Sequence, residues 1–342
     1  METTHIAVDT SKSVFTLHAS DPAGHCTYRR DLSRSKFLAW FAKLAPLTVT
    51  LEACGGSHHW GRELAKLGHT VRLIAPQHVK PFVRRGKNDR ADAEAISEAA
   101  SRPSMRFVPV KNAQAQANAM VLKQRALLVR QRTQLVNALR GHATEYGLVV
   151  PRGTENVGPL LAKMAADETV PALAQELCAE LGDDIACVDK RIATIDRRIA
   201  AMHRNNPISQ LLTTIPGIGP VAASTFATTT EPTQFKSGRA FAAYLGLTPK
   251  DHSSGGKQRL GGISRAGDER LRELLVLGAM SVLSHVVRGK PARGASAWLM
   301  KLLERKPRKL VAVALANKMA RMVWAMMSSG EAYRGTARPA AA

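Results

Sequence analysis

Between Leu181 and Met202 the apolar residues Leu181, Ile185, Val188, Ile192, Ile195, Ile199 and Met202 recur at alternating intervals of four and three. Only a long helix with one continuous apolar seam puts all of them on a line, so this stretch must find an equally long surface to pack against. Such a surface lies upstream. From Ala113 to about Tyr146 turn residues fall away; Val121, Leu128 and Leu135 recur at seven, as do Leu122, Val129 and Val136, while Lys123, Arg125, Arg130, Arg132 and Arg140 take the other faces. Gly147 to Val157, with Pro151 and Gly153, reads as the connecting loop. Residues 111–205 are therefore expected to be long helices, forming either an antiparallel hairpin or a coiled coil that joins two chains; a bundle within one subunit satisfies the same pattern.

Upstream of that region the periodicity is of another kind. His5 to His18 reads as two short strands around a polar turn, with Asp9 ending the first, and residues 24–31 as a third strand. Phe37, Leu38, Phe41 and Leu44 have helical spacing within Ser35–Leu44. Leu47 to Ala53 is β-rich and stops at Gly55-Gly56, which places Glu52 at a strand end; a helix over Trp60–Leu67 and a strand over His69–Ala75 follow. Three antiparallel strands and then strand–helix alternation predict a mixed sheet with helices on its faces over residues 1–110.

The stretch Lys87-Asn-Asp89-Arg-Ala-Asp92-Ala-Glu-Ala95 sets two carboxylates three residues apart at the start of an alanine-rich helix, aimed at the same point. Such a pair repels unless a cation lies between, and oxygen-only ligands suit Mg²⁺ or Mn²⁺. Acids in a first helical turn also serve the helix dipole, so the pair alone does not make a site. Asp9 and Glu52, on neighbouring strand ends, change the balance: four carboxylates converging where strand ends meet a helix start would bind one or two divalent ions and activate an attack on a phosphodiester. This set resembles the ribonuclease-H-like domain of RuvC-type resolvases.

The C-terminal part, residues 206–328, reads as all-helical. Gly217 and Gly219 in Ile215-Pro-Gly-Ile-Gly-Pro220 fit a helix-hairpin-helix turn, whose backbone N–H groups hold a phosphate without reading sequence; a plain interhelix turn is the commoner explanation. After Pro249, small and basic residues alternate through His252, Ser253, Ser254, Gly255, Gly256, Lys257, Arg259 and Arg265, predicting an exposed loop able to follow a phosphate backbone. Ser254, before two glycines, is sterically open, and cations nearby could support it as a nucleophile, although a flexible Ser-Gly loop is the simpler explanation of these residues by themselves. Arg270 to Val287 and Lys306 to Met327 finish as helices, and residues 329–342 read as a disordered tail.

Forty-nine Lys and Arg against 27 Asp and Glu leave a formal charge of +22, which points to a polyanionic partner, nucleic acid before membrane. No apolar run approaches the roughly 20 residues that cross a bilayer, and no signal pattern opens the chain, so a cytoplasmic protein is expected. The four cysteines, Cys26, Cys54, Cys178 and Cys187, contain no CxxC pair and read as reduced packing residues.

Taken together, Asp9, Glu52, Asp89 and Asp92, the central helices, the Ile215–Pro220 turn, and Leu247-x-Pro249 leading to Ser254-Gly255 and Ile263-Ser-Arg265 resemble the DEDD transposases of bacterial insertion sequences, over about residues 4–328. The resemblance implies an α/β plus all-α chain: a RuvC-like domain of RNase H fold, a coiled-coil dimerisation segment and a helical transposase domain. It further implies a recombinase that cuts and rejoins DNA, guided by an element-encoded bridge RNA and working as a dimer or tetramer. By motif position Asp9, Glu52, Asp89 and Asp92 would bind Mg²⁺. Ser254 would attack the phosphodiester, with adjacent Ser253 as the alternative, and the domains would have to close on each other or across a dimer. Gly217, Gly219, Lys257, Arg259 and Arg265 would contact nucleic acid. Two other readings of the same residues remain: a metal-dependent nuclease or junction resolvase without a covalent step, and a non-catalytic nucleic-acid scaffold.

Overall fold

The computed structural model describes residues 2–83, 88–288 and 296–333. It comprises two compact units, Met1–Gln116 and Ala117–Ala342. The first contains β1 (His5–Thr10), β2 (Val14–Ser20), β3 (Cys26–Ser33), α1 (Phe37–Phe41), β4 (Thr48–Glu52), α2 (Ser57–Lys66), β5 (Thr70–Ile74), α3 (Pro76–Val79), α4 (Asp89–Ala100) and β6 (Phe107–Val108). They build one six-stranded sheet in the order β3-β2-β1-β4-β5-β6. β1 is antiparallel to β2 and parallel to β4, so the strand order reverses between β1 and β4. The mixed sheet matches expectation. β6 does not follow from periodicity, because two residues are too few to show a period; Phe107 and Val108 simply pair with Ile74 and Leu73.

Alternation along the strands sends Ile6, Val8, Phe15, Leu17, Val49 and Leu51 to one face, where Phe37 and Phe41 of α1 and Trp60 and Leu64 of α2 complete a buried core. Phe15, Phe37 and Trp60 meet edge to face with ring centroids 4.8–5.3 Å apart. Each such side chain stabilises the fold by about 1.5–3 kcal/mol on burial. On the opposite face Ala7 and Ile74 pack against Ala95, Ile96 and Ala99 of α4. The alanines let α4 lie close to the sheet, with its first turn at the carboxyl end of β1.

The second unit contains α5 (Ala113–Glu145, which begins in the first unit), α6 (Val157–Ala166), α7 (Ala172–Arg204), α8 (Pro207–Leu212), α9 (Pro220–Thr229), α10 (Gly238–Tyr244), β7 (Pro249–Asp251), β8 (Leu260–Ile263), α11 (Glu269–Val287), α12 (Ala297–Arg305) and α13 (Arg308–Ser329). Of the arrangements that the heptads allow, the chain adopts the antiparallel pair. Arg125 bonds Asp196 and Arg132 bonds Asp189, so one number falls as the other rises. Ile192, Ile195 and Ile199 bury against Leu122 and Leu128, and Ile185 against Val136 and Leu139. The long helices, read from sequence as a separate segment, fall in the same compact unit as the C-terminal helices.

Three expectations need correction. α13 is long and apolar enough to cross a bilayer, contrary to the reading that no run approaches that length. Its Val311, Leu315, Ala316, Met319, Ala320 and Val323 are nevertheless buried in the largest core cluster, and its charged residues, Arg308, Lys309, Lys318 and Arg321, lie off that buried stripe. The tail expected to be disordered from residue 329 is still helical at Ser329, and residues 334–342 lie outside the described residues. Of the cysteines only Cys178 is a buried packing residue; Cys26 and Cys187 are exposed, and all are free.

The C-terminal core depends on one close approach. Gly217 (φ +87°) lies between α8 and α9 against Gly278 of α11, and a Cβ on Gly278 would stand 2.2 Å from the Gly217 carbonyl oxygen. Gly278→Ala is expected to destabilise the second unit by about 2 kcal/mol and lower its melting temperature by about 4–8 °C. Gly219, whose Cβ would meet nothing within 4 Å, should accept alanine at a cost of about 1 kcal/mol or less. Calorimetry on both variants checks the pair; equal losses would contradict the packing argument.

Candidate active site

β1 and β4 end side by side where the strand order reverses, the position at which an open sheet leaves a crevice beyond its carboxyl edge. Asp9 lies near the end of β1 on the face that carries Ala7, and Glu52 is the last residue of β4. The Thr10 hydroxyl and the Cys54 thiol, 3.1 Å apart, tie the two strand exits together. The opposing wall is the first turn of α4. Asn88 caps it, its side-chain oxygen accepting from the Ala91 N–H at 2.8 Å, and Asp89 and Asp92 then project from one side of the turn.

One oxygen from each of Asp9, Asp89 and Asp92 lies within 4.8 Å of the other two. Asp9 and Asp92 are half-buried and Asp89 is exposed. Glu52 stands outside this tight group, but shares its field. Burial, then the charges of Asp92, Asp89 and Glu52, push the Asp9 carboxyl from 3.8 up to about 6, against a backbone hydrogen bond from Thr10. Burial and the Asp92 charge push Glu52 upward as well. Among the described residues no cationic side chain is ion-paired with any of the four. The donor set is carboxylate oxygen only, the ligand type that hard divalent cations take, and the repulsion within it is of the kind such a cation relieves.

In the second unit the segment after Pro249 is not the irregular loop expected. β7 and β8 pair antiparallel, with Pro249 opposite Ile263 and Asp251 opposite Leu260. The ribbon closes through a Ser254–Lys257 bridge, with Gly255 (φ +56°) and Gly256 (φ +74°) at its tip. Two successive left-handed residues are what a tight hairpin turn demands, and glycine meets the demand without strain. The residues from 251 to 260 are exposed, so the strands carry no apolar alternation and leave no periodic signal.

The two serines differ in environment. The Ser253 hydroxyl accepts from the Arg259 N–H at 3.0 Å and donates to Asp251, holding that carboxyl below its usual range, while the Ser253 N–H donates to Asp251 at 2.9 Å. It is part of the ribbon's framework. Ser254 begins the turn, exposed, and among the described residues its hydroxyl has no hydrogen-bond partner. Lys257 and Arg259 lie on the same ribbon. Arg265 follows it at φ 55°, the sole non-glycine residue with positive φ among those described. That conformation costs about 1 kcal/mol or more and needs support. Support comes from Arg272, whose guanidinium donates to the carbonyl oxygens of Ala266 at 2.8 Å and Leu245 at 3.0 Å. Sequence reading missed Arg272, because partners that are backbone carbonyls leave no trace in residue types.

Gly217 and Gly219 lie in the turn between α8 and α9, where Gly219 precedes the first residue of α9. Together with Ile215, Pro216, Ser281 and His285 they line a surface cavity of about 410 Å³.

Residues 6–147, which carry all four carboxylates, match the model of a DEDD transposase domain, and residues 209–293, which carry both serines, match the transposase IS116/IS110/IS902 family. A putative transposase of Sinorhizobium fredii is 53% identical over 96% of this chain and 85% of its own length. A probable family 20 transposase of Pseudomonas aeruginosa is 47% identical over 98% of this chain and 99% of its own. The transposase for insertion sequence element IS1111A of Coxiella burnetii is 40% identical over 96% of this chain and 91% of its own. A DEDD-type domain implies a divalent metal, and transposases bind DNA. The chain therefore belongs to the IS110/IS116 family of insertion-sequence transposases.

Proposed function

We propose that this transposase cuts and rejoins DNA through a covalent phosphoserine, with Asp9, Glu52, Asp89 and Asp92 holding Mg²⁺, or Mn²⁺ in its place, and Ser254 as the nucleophile. The contrast between two adjacent hydroxyls carries the assignment: Ser253 is spent on the ribbon, whereas Ser254 stands exposed and unengaged at its tip. The ion, when bound, polarises the phosphodiester and neutralises charge on its oxygens. Ser254 Oγ gives up its proton and bonds to phosphorus, and a sugar oxygen leaves as the P–O bond breaks and takes up a proton. The phosphoserine keeps the ester bond energy, so a hydroxyl of another strand can reverse the step and join there. Lys257, Arg259 and Arg265 would neutralise phosphates around the serine, and the Gly217–Gly219 turn, read as a helix-hairpin-helix, would hold backbone through its N–H groups.

Guidance by a bridge RNA and assembly into a dimer or tetramer through the long helices belong to the same reading. The formal charge of +22 provides for binding a second polyanion besides DNA. Copurifying RNA, together with loss of targeted joining after its removal, would support the guide; full targeting without RNA would refute it.

Two experiments test the chemistry. Ser254→Ala should abolish denaturant-stable protein–DNA adducts, lowering strand joining on the order of 10³-fold or more. Ser253→Ala should keep adduct formation within about tenfold, since it loosens the ribbon without removing the attacker. Adducts from Ser254→Ala would sink the assignment and favour metal-activated water.

The second experiment uses stability. Asp9 titrates higher folded, at about 6, than its ordinary 3.8, so ionising it in the native state costs stability that sets in as pH rises from about 4 to about 6. With allowance for its partial exposure, the cost is about 1 kcal/mol. In EDTA at pH 7.5, Asp9→Asn should therefore melt about 3–5 °C higher than the unmutated protein, and the gain should vanish near pH 4. Millimolar Mg²⁺ or Mn²⁺ should raise the melting temperature of the unmutated protein and leave Asp9→Asn nearly unmoved. A variant that is destabilised in EDTA, or that responds fully to metal, would contradict the cage.

A further inference from the structure

A second binding feature lies on unit two, away from the serine ribbon in sequence and used by nothing above. The first turn of α10 and one side of α13 press together, a Cβ on Gly238 having only 3.1 Å to the Arg321 backbone, and with α12 they enclose an open groove of about 1000 Å³. Its lining includes Arg239, Lys318 and Arg321 and contains no carboxylate. Among the described residues none of the three cations is in an ion pair.

Over this groove stands Trp298. α12 is anchored by Leu299, which is fully buried, and by Leu302 and Leu303 one turn on, and that anchoring leaves Trp298 41% exposed. The Lys318 ammonium sits 4.8 Å from the centre of its ring. The other tryptophan of the groove, Trp324, donates its indole N–H to the Pro232 carbonyl at 3.1 Å and serves the fold. Trp298 has no such duty. An exposed indole beside cations that make no ion pair among the described residues offers what an aromatic, anionic ligand needs, a ring to stack on and charge to neutralise its own.

We propose that this groove binds single-stranded DNA, one unpaired base stacking on the indole of Trp298 while Arg239, Lys318 and Arg321 neutralise the adjoining phosphates. Duplex DNA offers its backbone and base edges but keeps its base faces stacked on each other, so it gains from the cations and not from the indole. A peptide partner would have to bring acids and an aromatic ring together in the right register, whereas every nucleotide carries both a phosphate and a base. The commitment to DNA rests on the family's substrate. The two neutral polar side chains of the groove do not argue for ribose, for Ser237 caps α10 through Ala240 and the Asn317 amide donates to Leu247. The proposal does not depend on Ser254 as nucleophile or on a metal in the first unit.

The test measures fluorescence anisotropy of the full-length protein with labelled oligo(dT) of about 20 nucleotides, the matching duplex and oligo(U), in EDTA so that no strand is cut. Trp298→Ala should weaken oligo(dT) binding about 5- to 100-fold and duplex binding less than twofold, and Trp298→Phe should recover most of the loss. Arg239→Gln, an exposed change that leaves the indole in place, should weaken oligo(dT) binding and lower its salt slope by about 0.7. The proposal is overturned if Trp298→Ala leaves oligo(dT) binding unchanged, weakens duplex equally, or acts on oligo(U) alone. Should Trp298→Ala melt early, the Arg239→Gln slope decides, an unchanged slope being the refuting result. Cleavage is silent in EDTA, so binding losses at Trp298 and Arg239 are read without the serine or the metal, which separates failure here from failure of the cleavage reading.

Discussion

Like charges held together against their repulsion are what the first unit is built to maintain. Asp9, Asp89 and Asp92 come within 4.8 Å of one another because a core of Ile6, Val8, Phe15, Leu17 and their partners fixes β1, while Ala7, Ala95, Ile96 and Ala99 fix α4 against it. Neither element can retreat without opening apolar surface worth several kcal/mol, more than the roughly 1 kcal/mol that the Asp9 charge costs. Packing therefore wins, and the repulsion is left for a proton or a cation to relieve. Below about pH 6 a proton does so at Asp9. Above it, only a cation can.

That balance also explains why the acids were legible from sequence while their geometry was only partly so. Asp9 and Glu52 could be read because each closes a β-rich run, and Asp89 and Asp92 because three residues make almost one helical turn. What residue spacing could not give is the distance between β4 and α4, which leaves Glu52 beside the tight group of three. The heptads told that α5 and α7 would be long; the direction of pairing became visible only in Arg125–Asp196 and Arg132–Asp189. β6 and the β7–β8 ribbon escaped for a shared reason: short elements with one or no buried face carry no period to read. α12 differs, for Leu299, Leu302 and Leu303 do have the helical spacing that makes a helix legible.

The C-terminal unit follows a different constraint, the close approach of backbones. Gly217 against Gly278, and Gly238 against Arg321, bring helices nearer than side chains would permit. Close helix contact makes α13 the axis of the core, which accounts for its membrane-like hydropathy in a helix buried by its own neighbours. It also leaves the outer side of α13 as a trough, which the first turn of α10 and Trp298 of α12 complete as the basic groove.

Within the ribbon, position rather than residue type divides the labour between two identical side chains. Ser253 precedes the turn, where its hydroxyl can reach across to the Arg259 N–H and back to Asp251; a nucleophile there would have to break both bonds before reacting. Ser254 begins the turn itself, and its neighbours Gly255 and Gly256 have no side chains with which to engage or shield it. Replacing either glycine by a residue with a Cβ would strain a positive φ, even though the space around both is open. The arrangement keeps one serine fixed so that the other can stay free, and the rigid base that Arg272 gives the ribbon limits how far that freedom extends.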